Sequence, residues 1–191
     1  ESKIAISLQM NGVKFISLFF TYLAALTLGQ AAQQVPMSIE TLTTKADAVV
    51  HGKVKGITCK RDSTGRIFSA INLNIIENIK GQIKTKKFEI VHGGGILGSK
   101  RTGSIVDPRF KVGEEVVVFV VYNSRGEAVP LGQNQGRFEV FRNPGNTTAM
   151  VRNPFHGSPK TNDPHIVFKR AIGRSQLTLT ELKRRIRRSN K

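Results

Sequence analysis

The chain has 191 residues, with 30 lysines and arginines against 13 aspartates and glutamates, and a formal net charge of +17. This length suits one compact domain with appendages. Its single cysteine, Cys59, excludes an intramolecular disulfide. Because secreted animal domains of this size usually carry disulfides, the composition favours a bacterial source.

The N-terminal segment is predicted to hold a cleavable signal peptide. A short, weakly cationic stretch, Met10–Lys14, leads into the uncharged apolar run Phe15–Leu28, which is 14 residues long. A run of this length suits a signal-peptide core and is shorter than the roughly 18 residues that a membrane-spanning helix needs. Small residues at Gly29 and Ala31 indicate cleavage after Ala31 or Ala32.

Residues 1–31, of which 1–9 read as upstream sequence, are therefore expected to be absent from the mature protein. We expect that protein to be secreted or periplasmic, with no stable membrane anchor after cleavage. A buried core helix and a retained membrane anchor are the alternatives for this segment.

The mature chain would keep 28 basic and 12 acidic residues, a net charge of about +16. A field of this sign attracts polyanions, namely nucleic acid, anionic lipid, acidic polysaccharide or an acidic protein face. Export makes nucleic acid an unlikely partner and favours the other three. A solvated basic surface that serves only solubility is the alternative.

Residues 38–141 carry the pattern of a small β domain. A short helix is predicted over Ser38–Lys45, where hydroxyl and acidic residues precede apolar positions. The run Glu115–Tyr122 is continuously apolar, which predicts a strand that is covered on both faces. Strands are predicted over Ala48–Lys60, Ile67–Lys80, Lys87–His92, Glu115–Tyr122, Glu127–Leu131 and Arg137–Phe141. Five or six short strands joined by glycine-bearing turns indicate a mainly β, antiparallel barrel or sandwich.

Residues 142–176 are predicted to form an irregular arm, because prolines, asparagines and glycines interrupt every regular pattern there. Residues 177–191 are predicted to form a basic C-terminal helix, which Thr178 and Glu181 start with a capping box. Its apolar stripe is expected to dock on the β domain. The opposite face carries Lys183, Arg184, Arg185, Arg187 and Arg188, either a solvated face or a polyanion contact.

A glycine-rich segment follows the third predicted strand. His92–Gly95 copies the esterase loop that supplies oxyanion-hole amides, but the chain lacks the Gly-x-Ser-x-Gly elbow that this chemistry needs. The order Gly98-Ser99-Lys100 also departs from the phosphate-binding loop. We therefore predict a flexible anion or partner contact at Gly93, Gly94, Gly95, Lys100 and Arg101.

The residues that most often carry catalysis show no recognisable arrangement. The histidines, at positions 51, 92, 156 and 165, have no metal-ligand spacing, and the carboxylates form no evident acid and base pair. We assign no catalytic residue, no metal and no cofactor. A secreted hydrolase with a site built from dispersed residues is the alternative from another class.

Two segments carry a likeness to a known family. Ala46–Val54, followed by a long strand that ends at Lys80–Gly81, resembles the opening of netrin-like domains, including the tissue inhibitors of metalloproteinases. Gly113–Phe119 looks like a later strand of the same barrel. The run Leu42–Val140 also resembles a widespread set of uncharacterised bacterial exported proteins.

The resemblance implies an OB-type five-stranded barrel that binds another secreted protein, with a metalloprotease as one candidate. The animal inhibitors chelate the protease zinc through an N-terminal cysteine, whereas the mature start here reads Ala32-Gln33-Gln34. That inhibitory chemistry is not carried over.

We therefore predict a non-enzymatic, exported OB-like barrel that binds a protein or polyanionic partner through the glycine segment and the basic helix. The third hypothesis, a nucleic-acid-binding OB module, is favoured by charge and disfavoured by the export signal.

Overall fold

The computed structural model describes residues 35–83, 85–103, 107–157 and 176–190. The predicted signal peptide and residues 158–175 of the predicted arm lie outside the described residues. The described fold is mainly β, with one short helix before the sheet and one helix at the C-terminal end.

The helices and strands follow the chain in a simple order. The helices are α1 (Ile39–Lys45) and α2 (Leu179–Ser189), and the single turn Gln133–Gly136 is a 3-10 helix. The strands are β1 (Ala48–Arg61), β2 (Ile67–Lys80), β3 (Lys87–Gly93), β4 (Gly95–Leu97), β5 (Lys100–Thr102), β6 (Glu115–Tyr122), β7 (Ala128–Pro130), β8 (Arg137–Phe141), β9 (Met150–Arg152) and β10 (Leu177–Thr178).

One antiparallel sheet dominates the structure, in the order β10-β9-β8-β6-β1-β2-β3, with β7 paired to β6 beside this path. The strands β4 and β5 form a separate two-stranded sheet. The longest pair is β1 with β2, whose register runs from Val49 opposite Lys80 to Arg61 opposite Ile67. Three register shifts interrupt it, the last at Val54–Gly56.

The mainly β, antiparallel architecture is as predicted, but the described sheet does not close into the predicted OB-like barrel. Its end strands β3 and β10 pair with one neighbour each, and no ladder joins them in the described part of the chain. β3 comes within 8 Å of β7, measured between Cα atoms, without pairing to it. β7 spans only three residues and ends at Pro130, which has no amide proton to donate, so it offers too little edge to close the sheet.

The central strand β6 is covered on both faces, as its continuous apolar sequence predicts. Val116, Val118 and Val120 belong to one apolar cluster, which the curled sheet encloses. Val117 and Phe119 belong to a second cluster, which the helices cover. The alternation of side chains along one strand thus supplies two cores.

Both helices begin at a hydroxyl cap and pack on the second cluster. Ser38 accepts a hydrogen bond from the Thr41 amide, and Thr178 accepts one from the Glu181 amide at 3.1 Å. The predicted capping box of α2 is therefore half formed: the Thr178 hydroxyl makes its bond, whereas the Glu181 carboxylate pairs with Arg184. The predicted apolar stripe of α2 is buried through Leu179, Leu182 and Ile186.

Within the region predicted as an irregular arm, the structure places a short strand. β9 pairs with β8 and with β10, so Val151 lies opposite both Val140 and Leu177. This extension of the sheet carries the chain to α2. Among the described residues, no helix is long and apolar enough to cross a membrane.

Candidate functional site

The predicted cations of α2 are largely engaged inside the molecule. Lys183 Nζ donates to Glu77 Oε2 at 2.6 Å, and Arg187 donates to the other oxygen of Glu77. Arg185 makes a two-pronged contact with Glu40 of α1, with both distances 2.8 Å. Arg184 pairs in the same way with Glu181, on its own helix.

The pairs to Glu77 join α2 to the sheet, the pair to Glu40 joins it to α1, and all of them reduce the outward charge of the helix. Burial alone would raise the pKa of Glu77, but the hydrogen bond from Lys183 and the charges of Lys183 and Arg187 outweigh it, so this pKa is lowered. Within the described residues, Arg188 is the predicted α2 cation without an ion pair.

Lys183 also contacts a buried histidine on β1. His51 is 4% exposed, its Nδ1 lies 3.1 Å from Lys183 Nζ, and its Nε2 lies 2.7 Å from Glu115 Oε1. An ammonium group can only donate, so Nδ1 accepts and Nε2–H donates to Glu115. The imidazole is therefore neutral in this arrangement.

The pKa of His51 is lowered chiefly by burial, with a contribution from the nearby charge of Lys183, while Glu115 and Glu77 act in the opposite direction. Both ring nitrogens are occupied, which leaves no nitrogen to accept a proton from a substrate. Arg142 donates to Glu115 at 3.0 Å and completes a chain of contacts from the loop after β8 to α2. We call this chain the His51 network: Arg142, Glu115, His51, Lys183, Glu77 and Arg187.

The predicted glycine segment is a packed crossing of the backbone. Gly94 has φ +82°, and a Cβ there would lie 2.7 Å from Gly103 Cα. A Cβ on Gly95 would lie 2.6 Å from both Cys59 Sγ and Ser69 Oγ. The Gly94 amide donates to Ile67 O at 2.9 Å, so it is not available to an anion.

Gly93 differs from the two glycines that follow it, because no heavy atom lies within 4 Å of a Cβ placed there. Ser69 Oγ donates to the Gly94 carbonyl at 2.9 Å and adds a second anchor. Gly94 and Gly95 thus hold the β4–β5 hairpin against β1 and β2. Their role in any ligand binding is to position that hairpin.

The hairpin carries the other two predicted residues. Lys100 lies opposite Leu97 and Arg101 opposite Ile96, and the side chain of Ile96 is 64% exposed. Both cations are exposed. Within the described part of the chain, neither has a carboxylate partner at ion-pair distance.

Two cations at the end of β1 extend this surface, and sequence reasoning missed them. Gly95 packs on Cys59, which directly precedes Lys60 and Arg61. Lys60 lies 4.0 Å from Glu89, but both side chains are about half exposed (49% and 48%), and such a solvated pair neutralises little. We define the basic hairpin surface as Lys60, Arg61, Lys100 and Arg101.

A salt-bridge clamp holds the turn beside this surface. Arg66 Nε donates to Asp62 at 2.9 Å, and Arg66 Nη2 donates to Glu127 at 2.6 Å. The hydrogen bonds from Arg66 and Asn123 lower the pKa of Glu127 to about 2. The clamp joins the β1–β2 turn to the turn that follows β6. Because Asp62 and Glu127 pair with Arg66, they do not neutralise the cations of the basic hairpin surface.

The two predicted site regions are separate. In the described ranges, no hydrogen bond or ion pair joins the glycine segment to the cations of α2. No group of three or more His, Cys, Asp or Glu that could hold a metal ion occurs within those ranges. No family model matches the chain, and a search of the curated proteins finds no match. The netrin-like resemblance therefore stays a prediction.

Proposed function

We propose that this chain is an exported, non-enzymatic binding module that takes an anionic partner at the basic hairpin surface. One observation carries the proposal. In the described part of the chain, Arg61, Lys100 and Arg101 have no ion pair and Lys60 has only the solvated pair with Glu89 at 4.0 Å, whereas the cations of α2 are mostly paired internally.

Charge balance decides between the two basic regions. A cation paired with a carboxylate gains little from a second anion, because its field is already offset. The unpaired cations of the hairpin keep their full attraction for an incoming anion. The exposed Ile96 adds apolar contact area beside them, which favours a protein or polysaccharide surface over a small ion.

The predicted signal peptide sets the class of partner. Outside the cytoplasm, acidic faces of secreted proteins and anionic polysaccharides or surfaces are available, and nucleic acid is scarce. The netrin-like resemblance adds a secreted protease to the candidate partners. The missing cysteine at the predicted mature start means that any such contact uses a surface other than a zinc-chelating N-terminus.

Retention on immobilised heparin tests the proposal. We expect the variant with Lys60, Arg61, Lys100 and Arg101 all changed to glutamine to elute at much lower salt than the natural sequence. The matched control removes four exposed cations elsewhere, at Lys45, Lys86, Arg109 and Lys111.

Both variants lose the same number of positive charges. The control therefore separates the effect of where the cations lie from the effect of net charge. If the two variants elute together, retention reflects overall charge and the proposed surface is wrong. If the hairpin variant elutes early and the control stays near the natural protein, the surface is supported. The salt dependence should also be shallower for the hairpin variant.

Export is tested by the N-terminus of the mature chain. When the full chain is expressed in a bacterium with a secretion pathway, we expect it outside the cytoplasm and starting at Ala32 or Gln33. Intact mass and N-terminal sequencing measure this. A chain that stays in the cytoplasm with residues 1–31 intact would contradict the prediction.

A further inference from the structure

β1 extends beyond the strand that covers one of its edges. Its ladder with β6 ends where Lys53 lies opposite Glu115. Two more hydrogen bonds continue the contact, from Val54 N to Glu114 O at 2.9 Å and from Gly113 N to Val54 O at 2.8 Å. From Gly56 to Arg61 the backbone pairs with β2 on one side, and Lys55 lies at the register shift that precedes this stretch. No described residue pairs with Lys55–Arg61 on the other side.

This uncovered edge has the same length as the outer edge of β3, which is also seven residues long. The segment of seven residues from Lys55 to Arg61 spans about 23 Å when extended. The outer edge of β3 lies close to β7, while β5 and β10 have only three and two residues. An unpaired row of N–H and C=O groups of this length is a template for an added strand.

Side chains along the edge indicate what kind of strand fits. Ile57, Cys59 and Arg61 alternate with Thr58 and Lys60, so each face of the strand carries one cation. Ile57 is 38% exposed and offers an apolar contact. Carboxylates on the face of Lys60, with apolar residues on the face of Ile57 and Cys59, would complement this edge.

The same charges disfavour a second copy of this chain. Self-pairing would bring Lys60 and Arg61 against identical or neighbouring cations, in a molecule of net charge +17. Like charges directly opposite one another destabilise a strand pair. Lysine at an open edge therefore disfavours self-association of this chain. A strand of opposite charge is the partner that fits this edge.

We infer that an extended acidic segment of a partner protein adds as a strand to β1 at Lys55–Arg61. This rests on the proposed function and narrows its anionic partner to a peptide. The backbone supplies the hydrogen bonds, and the basic hairpin surface supplies the charge attraction. Arg101 lies beside the same segment, because its neighbour in the ladder, Ile96, follows the Gly95 that packs on Cys59.

Two synthetic peptides separate strand addition from charge attraction alone. The first is a labelled heptapeptide of alternating glutamate and valine, and the second is the same peptide with N-methyl groups on its three central amides. Methylation keeps the charge and removes the amide donors. We expect the methylated peptide to bind about tenfold more weakly or worse, as the loss of several strand hydrogen bonds predicts.

Backbone hydrogen exchange of the full chain locates the contact. The unmethylated peptide should protect amides within residues 55–61, and it should leave β3 unchanged. Equal affinity of the two peptides, or protection elsewhere only, would overturn strand addition while leaving the anionic site in place. If neither peptide binds while heparin retention still depends on the basic hairpin surface, the partner is a polysaccharide and the acidic-strand inference is wrong.

Discussion

Replacing Gly94 with alanine is expected to lower the free energy of unfolding by about 3 kcal/mol. The new Cβ would lie 2.7 Å from both Gly103 Cα and Thr102 O, which are backbone atoms that cannot rotate away. The positive φ of +82° adds backbone strain for any residue with a Cβ. The hairpin that carries Lys100 and Arg101 would have to shift.

Urea unfolding measures the change in stability, and heparin retention measures its effect on the binding surface. We expect both to fall although no charge is removed. Gly93→Ala is the matched control, since no heavy atom lies within 4 Å of its added Cβ. A Gly94→Ala protein as stable as Gly93→Ala would show that the hairpin is not anchored by this crossing.

The second large expected effect is a loss of stability in mild acid that depends on His51. The groups facing this imidazole are Glu77 from β2, Glu115 from β6 and Lys183 from α2. Its pKa in the folded state is lowered from 6.5, first by burial and then by Lys183. The unfolded chain therefore binds more protons between the folded-state pKa and 6.5.

Because the unfolded state takes up that proton first, stability falls as the pH drops through 6.5 toward the folded-state pKa. The carboxylates add a second loss at lower pH. The pKa of Glu115 is lowered, since the hydrogen bonds from Arg142 and His51 outweigh the opposing effect of burial. Its contribution is present above about 4.5 and is lost as the pH falls further.

His51→Gln is expected to cost about 1–2 kcal/mol at pH 7 and to flatten the pH dependence of stability just below pH 6.5. An amide side chain can still donate to Glu115, but it does not titrate. Urea unfolding at a series of pH values gives the slope. His92→Gln is the control, because His92 stacks on Phe110 outside the His51 network. An unchanged slope in His51→Gln would contradict the assigned network.

Much of the secondary structure follows from local patterns. The alternation in β1 and β2, the continuous apolar run of β6 and the hydroxyl caps of both helices predict those elements to within one or two residues. These signals depend only on neighbouring residues, so they can be recognised in a single sequence. The short strands β4, β5, β9 and β10 have two or three residues each, which is too few for a period to be visible.

The closure of the sheet and the pairing of charges could not be predicted in the same way. Whether β3 pairs with β7 depends on the curvature of the whole sheet, which propensities do not encode. Lys183 and Glu77 are separated by 106 positions in the sequence. Neither alternative considered for this face of α2, solvated or in contact with a polyanion, therefore indicated its partners inside the molecule. The burial of His51 could not be predicted for the same reason, because the residues that cover it are distant in the sequence.

The glycine segment was predicted to contact a ligand, whereas the structure explains two of its glycines by close packing. Three consecutive glycines predict an unusual backbone, and the structure gives two of them positive φ angles. Close contacts with Cys59, Ser69 and Gly103 account for Gly94 and Gly95. Such contacts depend on distant chain segments, and a sequence pattern alone cannot separate them from a ligand cradle.

Amide chemical-shift mapping tests the central claim most directly. The isotopically labelled mature chain is titrated with the alternating glutamate and valine heptapeptide and, separately, with a short heparin fragment, at physiological salt. Our account predicts that shifts concentrate within residues 55–61 and 95–102 for at least one of these anions. Shifts confined to α2, with the basic hairpin surface unchanged by both, would contradict it.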